Sequence, residues 1–237
     1  MDQLICPNCG APLPASAASL DVVTCQYCSI TFRVPKSFTP EPAMGNLILG
    51  ADFRQDNLPG WGFPNRDNVQ FINGTPPELR FNYPAKVGLW YALNSSGFYD
   101  DVDASLTIRF YAGSEDIIDA GLVLRYRKTI GSYCILISPL GTYVVGTYEK
   151  GTGEGLDWKA ITSWTKHTAL RKGFNQVNRL RVLIKGDHLR VYLNGVLATS
   201  IHDERFKEGE ILLAAEASEK SAVDVGYSDL QIREVKA

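Results

Sequence analysis

Four of the five cysteines stand in two pairs near the N-terminus, Cys6-x2-Cys9 and Cys25-x2-Cys28, with fifteen residues between the pairs. Two residues between cysteines let both sulfurs of such a knuckle face one point. Two knuckles then supply four thiolates in the tetrahedral arrangement that zinc prefers; an iron centre with the same ligands is the alternative. With all four positions filled by protein, no place is left for water or substrate, so the expected metal is structural. Pro7 stiffens the first knuckle and Gly10 permits the turn after it. About thirty residues bury too little apolar surface to fold alone, and bound metal supplies the missing free energy.

The knuckles are flanked by short β-like runs at Val22–Thr24 and Ile30–Val34. With the four cysteines, Pro7 and Gly10, these make residues 1–34 resemble the zinc-ribbon family. Residues 35–46, PKSFTPEPAMGN, carry three prolines and no apolar period, and read as a linker. The sequence leaves open whether the ribbon packs on the larger C-terminal part of the chain.

From residue 47 onward the chain reads as β structure with no amphipathic helix. Strands are expected at Glu78–Tyr83, Gly88–Leu93, Ser105–Ala112, Gly121–Tyr126, Tyr133–Ser138, Thr142–Tyr148, Asn178–Lys185, Leu189–Asn194 and Glu210–Ala217, with one or two more in Val223–Val235. In the clearest of them Leu180, Val182 and Ile184 alternate with charged neighbours. Gly186–Asp187 turns the chain, and Asn194–Gly195 closes a second hairpin. One apolar face and one charged face predict antiparallel sheets with a wet side, and many short strands predict a two-layer sandwich.

Gly121-Leu-Val-Leu-Arg125, Tyr133-x3-Ile-Ser138-x2-Gly141-x-Tyr143, Trp158, Asn178-x-Leu-Arg-Val182, Tyr192-Leu-Asn-Gly195 and the closing Val225–Leu230–Ile232 strand carry a second resemblance. On these residues, 47–237 is similar to the concanavalin A-like (laminin G-like) jelly-roll superfamily, and within it to the bacterial branch with 3-keto-glycoside hydrolase-like domains. The resemblance implies an all-β fold: a small zinc ribbon, a linker over 35–46 and an antiparallel two-sheet jelly roll. It leaves activity open, because the fold hosts enzymes, lectins and interaction modules. Calcium is common in that superfamily, and Asp100, Asp101 and Asp103 offer a carboxylate cluster for it.

A glycosidase needs two carboxylates across the bond it cuts. The glutamate-x-aspartate-x2-glutamate strand motif is absent. Neither Glu115–Asp116 with Asp119, nor Glu204 with Glu208, lies in a pattern that aims two acids at one cleft, so both read as charged loops. His167, His188 and His202 are scattered, with His188 a solvated turn residue, and Cys134 reads as a core residue. Trp61 and Trp164 either close the ends of the core or mark a glycan or protein patch. Net charge is −2, and the acids and bases of residues 1–36 cancel, so neither part has a footprint for nucleic acid. No signal peptide or membrane span is read in the chain, and paired knuckles suit a reducing compartment. The expectation is therefore a cytoplasmic, bacterial, non-enzymatic adaptor with protein partners. A carbohydrate-binding module or a 3-keto-glycoside-type hydrolase is the alternative.

Overall fold

In a computed structural model, residues 5–6, 8–14, 17, 22–33, 42–54, 60–63, 66–85, 88–113, 118–151, 155–217 and 220–236 are described. Pro7, residues 34–41, the Glu115–Asp116 pair and the side chains of Trp90 and Tyr91 lie outside the described residues.

The strands are β1 (Val22–Thr24), β2 (Thr31–Arg33), β3 (Leu47–Ala51), β4 (Trp61–Gly62), β5 (Val69–Ile72), β6 (Glu78–Tyr83), β7 (Gly88–Tyr99), β8 (Val102–Ala112) and β9 (Asp119–Arg127). They continue as β10 (Gly131–Ile137), β11 (Thr142–Lys150), β12 (Leu156–Ala160), β13 (Thr165–Lys166), β14 (Val177–Lys185), β15 (His188–Leu193), β16 (Val196–His202), β17 (Gly209–Ala217) and β18 (Val223–Arg233). β1 and β2 form a hairpin of their own. The others make two eight-stranded antiparallel sheets, β12-β11-β10-β9-β17-β7-β4 with β13 beside β11, and β16-β15-β14-β8-β18-β6-β5 with β3 beside β18. This is a jelly-roll β-sandwich.

Period-two alternation builds the core. Leu180, Val182 and Ile184 of β14 meet Ala120, Leu122 and Leu124 of β9, Ile135 and Ile137 of β10, and Ile211 and Leu213 of β17 in one buried cluster. The Asn194–Gly195 turn forms as its sequence requires. Both residues have positive φ, 48° and 86°, and Leu193 pairs with Val196 across it.

Two features depart from a sheet with one wet side. The outer face of the β9 sheet is apolar: Val123, Cys134, Leu136, Val144, Leu212 and Ala214 form a second buried cluster with Tyr126 and Tyr148 against it. Cys134 is thus a core residue, but of this second layer. The cause is visible in LVL, YCILI and ILLAA, apolar runs rather than alternations, as strands covered on both faces require. Small residues keep the layer tight. A Cβ on Gly121 would stand 1.9 Å from the Ile135 carbonyl oxygen, and one on Gly146 would meet the Trp158 ring.

The second departure is on the β14 sheet. Arg181, expected on its wet face, is 1% exposed and forms a two-pronged ion pair with Asp103, 3% exposed, at 2.7 and 2.6 Å. The reason is the end of the proline-rich segment, which lies along the sandwich. The Pro42 carbonyl accepts from Arg181 Nη2 at 2.9 Å, the Gly45 carbonyl accepts from Arg233 at 3.0 Å, and Glu234 N donates to the Asn46 carbonyl at 2.9 Å.

Truncating one member of such a pair strands the other as a buried charge, which costs about 3–5 kcal/mol. Arg181→Ala is expected to lose that much in urea unfolding. Arg181→Met combined with Asp103→Leu is expected to lose much less.

Candidate functional site

The two knuckles close in the same way. Gly10 N donates to the Cys6 carbonyl at 2.9 Å and Ser29 N to the Cys25 carbonyl at 2.8 Å. Cys6 N donates to Ala11, and Cys25 N to Ile30. Gly10 and Ser29 occupy matching positions with φ of 70° and 57°. The four sulfurs of Cys6, Cys9, Cys25 and Cys28 lie within 4.8 Å of one another, and the group can hold a metal ion. A tetrahedral zinc with sulfurs at about 2.3 Å sets those sulfurs about 3.8 Å apart. The Cys6–Cys28 and Cys9–Cys25 separations are 3.6 and 3.7 Å, so the residues fit that ion. The Ile30 N–H and the Asn8 side chain draw the Cys28 thiol down to about 6.

Asp100, Asp101 and Asp103 do not converge. Asp103 is held by Arg181, Asp101 accepts from Gly186 N at 2.7 Å, and Asp100 caps the N–H of Asp101. Among the described residues, the four cysteines are the one group of three or more such ligands brought together.

A cleft of about 350 Å³ opens at one end of the sandwich, lined by Asp100, Arg125, Arg127, Ile130 and residues 205–208. Arg125 is its floor. This buried guanidinium donates to the carbonyls of Asp100 (2.9 and 2.7 Å), Gly186 (3.0 Å) and Phe206 (2.7 Å). It sits at a bulge, with φ 54°, where the ladders to β10 and β17 shift register. Phe206 packs edge-on against Tyr133, 5.0 Å between ring centres, and Tyr133 Oη donates to Asp203 at 2.7 Å.

The rim combines apolar surface with matched charges. Phe98, just outside the lining, is 58% exposed, and the lining Arg127 lies 4.9 Å over its ring. Arg127 pairs with Glu208, Arg205 with both Asp203 and Glu149, and Lys207 with Glu204. Lys159 first, then Thr147 and Arg205, hold Glu149 down to about 2. Each rim cation thus has its own carboxylate, which suits a neutral polar ligand better than an anion.

A pair of acids stands at the other end of β9. Asp119 opens that strand directly opposite Glu216 of β17, on the face away from the main core. This corrects the reading of Asp119 as a surface loop; its partner is a residue far along the chain that no local spacing could indicate. Asp119 is 8% exposed and its Oδ1 has no hydrogen-bond partner among the described residues. Burial first, and the charge of Glu216 second, push Asp119 well above the usual carboxylate range, and burial also raises Glu216. Asp119 and Arg125 are six residues apart on one strand, about 20 Å. A ligand seated on Arg125 therefore does not meet the acid pair.

The two tryptophans singled out in the sequence do not share a patch. Trp61 lies on β4, at one edge of the β9 sheet, and packs against the main core. Trp164 is 47% exposed and precedes β13, which pairs with β11 near the other edge. Strands β7, β17, β9, β10 and β11 lie between, so about 29 Å separates the two edges.

No family model and no curated protein matches the sequence. Solved structures do match. The carbohydrate-binding module CBM66 from Bacillus subtilis aligns with TM-score 0.56 at 18% identity, over 75% of this chain and 98% of its own. The laminarinase catalytic domain from Thermotoga maritima gives TM-score 0.59 at 10% identity, over 82% and 100%. The Bacillus licheniformis β-glucanase gives 0.54 at 12% identity, over 79% and 98%. These structures share the two-sheet jelly-roll sandwich. At these identities the likeness concerns architecture alone. No helix among the described residues is long and apolar enough to cross a membrane.

The acid pair has a measurable consequence. The fold keeps a proton on Asp119 that the unfolded chain releases above about pH 4. The stability it contributes is thus full in acid and declines as pH rises toward the raised folded-state value. Asp119→Asn is expected to melt above the wild type at neutral to alkaline pH, with the gap closing near pH 4; thermal melts across that range check it.

Proposed function

We propose that this chain is a carbohydrate-binding protein that holds a neutral glycan in the cleft over Arg125. The observation that carries this is the rim: an exposed aromatic ring beside fixed, mutually neutralised Arg–carboxylate pairs. A sugar ring has apolar C–H faces and a polar edge, and such a rim offers a partner to each. The sandwich is shared with a carbohydrate-binding module and with glucan-cleaving enzymes, which supports the reading by analogy of fold. The distance between the cleft and the Asp119–Glu216 pair favours binding over hydrolysis.

In this reading Cys6, Cys9, Cys25 and Cys28 hold a structural zinc, and residues 1–34 are a separate unit appended to the sandwich at 47–237. The exposed Ile5, Tyr27 and Ile30 give that unit an apolar surface, which favours an added role in docking a protein partner in the reducing interior of the cell. Chelation is expected to unfold residues 1–34 and leave the sandwich and its glycan binding intact. Circular dichroism, with the aromatic signal as the sandwich reporter, checks it; loss of both parts together would contradict the division.

The functional test is a glycan array with purified chain, followed by titration of the best hit. Phe98→Ala and Arg127→Ala are each expected to weaken binding at least about tenfold, some 1.4 kcal/mol. Both side chains lie at the rim, so the fold survives the change. Trp61→Ala and Trp164→Ala are expected to bind as the wild type does. A signal lost with either tryptophan and kept in Phe98→Ala would move the site to a sheet edge, and no glycan signal at all would sink the reading.

A further inference from the structure

The described histidines are not as scattered as their sequence positions. His188 opens β15 and His202 ends β16, and the two are register partners across that ladder. Their Nε2 atoms face each other in direct contact. Behind His202, its Nδ1 lies 3.2 Å from Asp187 Oδ2. A backbone hydrogen bond from Asp203 N to the Asp187 carbonyl at 2.8 Å pins the two chain segments together just beyond the pair. Asp187 is held below its ordinary range by His202.

This arrangement sets the tautomer. A carboxylate at Nδ1 takes the ring proton as a hydrogen bond and leaves the His202 Nε2 lone pair free. That nitrogen lies against the Nε2 of the partner ring. The two imidazoles stand edge to face in register across one ladder, ring centres 3.6 Å apart, so side-chain rotation alone can spread their Nε2 atoms to the roughly 3.3 Å that two nitrogen ligands of one ion require. Paired imidazoles, one of them backed by a carboxylate, are a donor set for a divalent metal with a preference for nitrogen: zinc, copper or nickel. Lys185 is the register partner of His188 on its other side.

We propose that His188 and His202 form a transition-metal site on the sandwich, separate from the four-thiol cluster, with Asp187 as the group that orients His202. The ion joins β16, the edge strand of its sheet, to β15 at the open end of their hairpin. Two protein ligands leave coordination positions for water. The thiol cluster is the tighter site for zinc, so the imidazole pair fills second.

The test is a Zn2+ titration of the full-length chain, followed by the imidazole resonances of its three histidines. The His188 and His202 signals are expected to shift together with the second equivalent, while those of His167, half-buried against Tyr143, stay. If the four thiols hold no zinc, the same two signals shift with the first equivalent, so the two sites fail independently. His188→Gln and His202→Gln are each expected to abolish this uptake with unchanged melting of the metal-free protein, since both rings lie at the surface. Asp187→Asn keeps both ligands and is expected to weaken binding about 10–100-fold. Uptake that survives in both histidine variants, or resonances that never move, would overturn the proposal.

Discussion

Arg125 is the constraint on which one end of this protein is built. A buried guanidinium must have its donors satisfied, and carbonyl oxygens from three separate connections do so here. The turn after β7, the turn after β14 and the loop before β17 are thereby drawn to one point. The bulge that lets Arg125 turn inward also demands a residue without a side chain opposite, and Gly209 supplies it: a Cβ there would stand 2.3 Å from the Arg125 backbone. Burial lowers the affinity of this guanidinium for its proton, yet the surrounding carbonyl dipoles and Asp101 keep its charge compensated. The cleft is the space left over that knot. Its floor is rigid because it is structural, and its rim is made of long side chains held in matched ion pairs.

The rest of the sandwich follows from how strongly each sheet is buried. The β14 sheet alternates, and its outer face is polar, with Arg80–Asp224 and Arg109–Glu78 pairs along it. The β9 sheet has apolar side chains on both faces. Its outer layer buries Asp119, whose Oδ1 has no hydrogen-bond partner among the described residues, and that burial raises the carboxyl's affinity for its proton.

Much of the fold was legible in the sequence. Each strand expected from alternation forms, most within two or three residues of its expected ends; Asn194–Gly195 fixed its hairpin because that turn admits few other residues. The strands missed were β3, β4, β5, β12 and β13; β16 was read only as the far arm of the Asn194–Gly195 hairpin, without bounds. Most of these are short, lie at sheet edges and carry mixed or exposed residues such as LDWKA, where packing rather than pattern decides. The sites were legible only where their parts are close in sequence. The cysteine knuckles are local, and their convergence was readable from spacing. Arg125 stood in a quoted motif, but its role depends on carbonyls from distant loops. Asp119 with Glu216, and His188 with His202, become neighbours only through strand register, which one sequence does not display.

The hydrogen bond from Arg181 to Pro42 acts as the fixed end of a leash. Nine residue steps separate Pro42 from Arg33, where β2 ends, and an extended chain covers at most about 3.6 Å per step. The four-cysteine unit therefore cannot stray more than roughly 32 Å from the outer surface of the β14 sheet. A partner bound by that unit would be held at a high local concentration beside the sandwich, and two weak attachments to one assembly would then act together as a strong one.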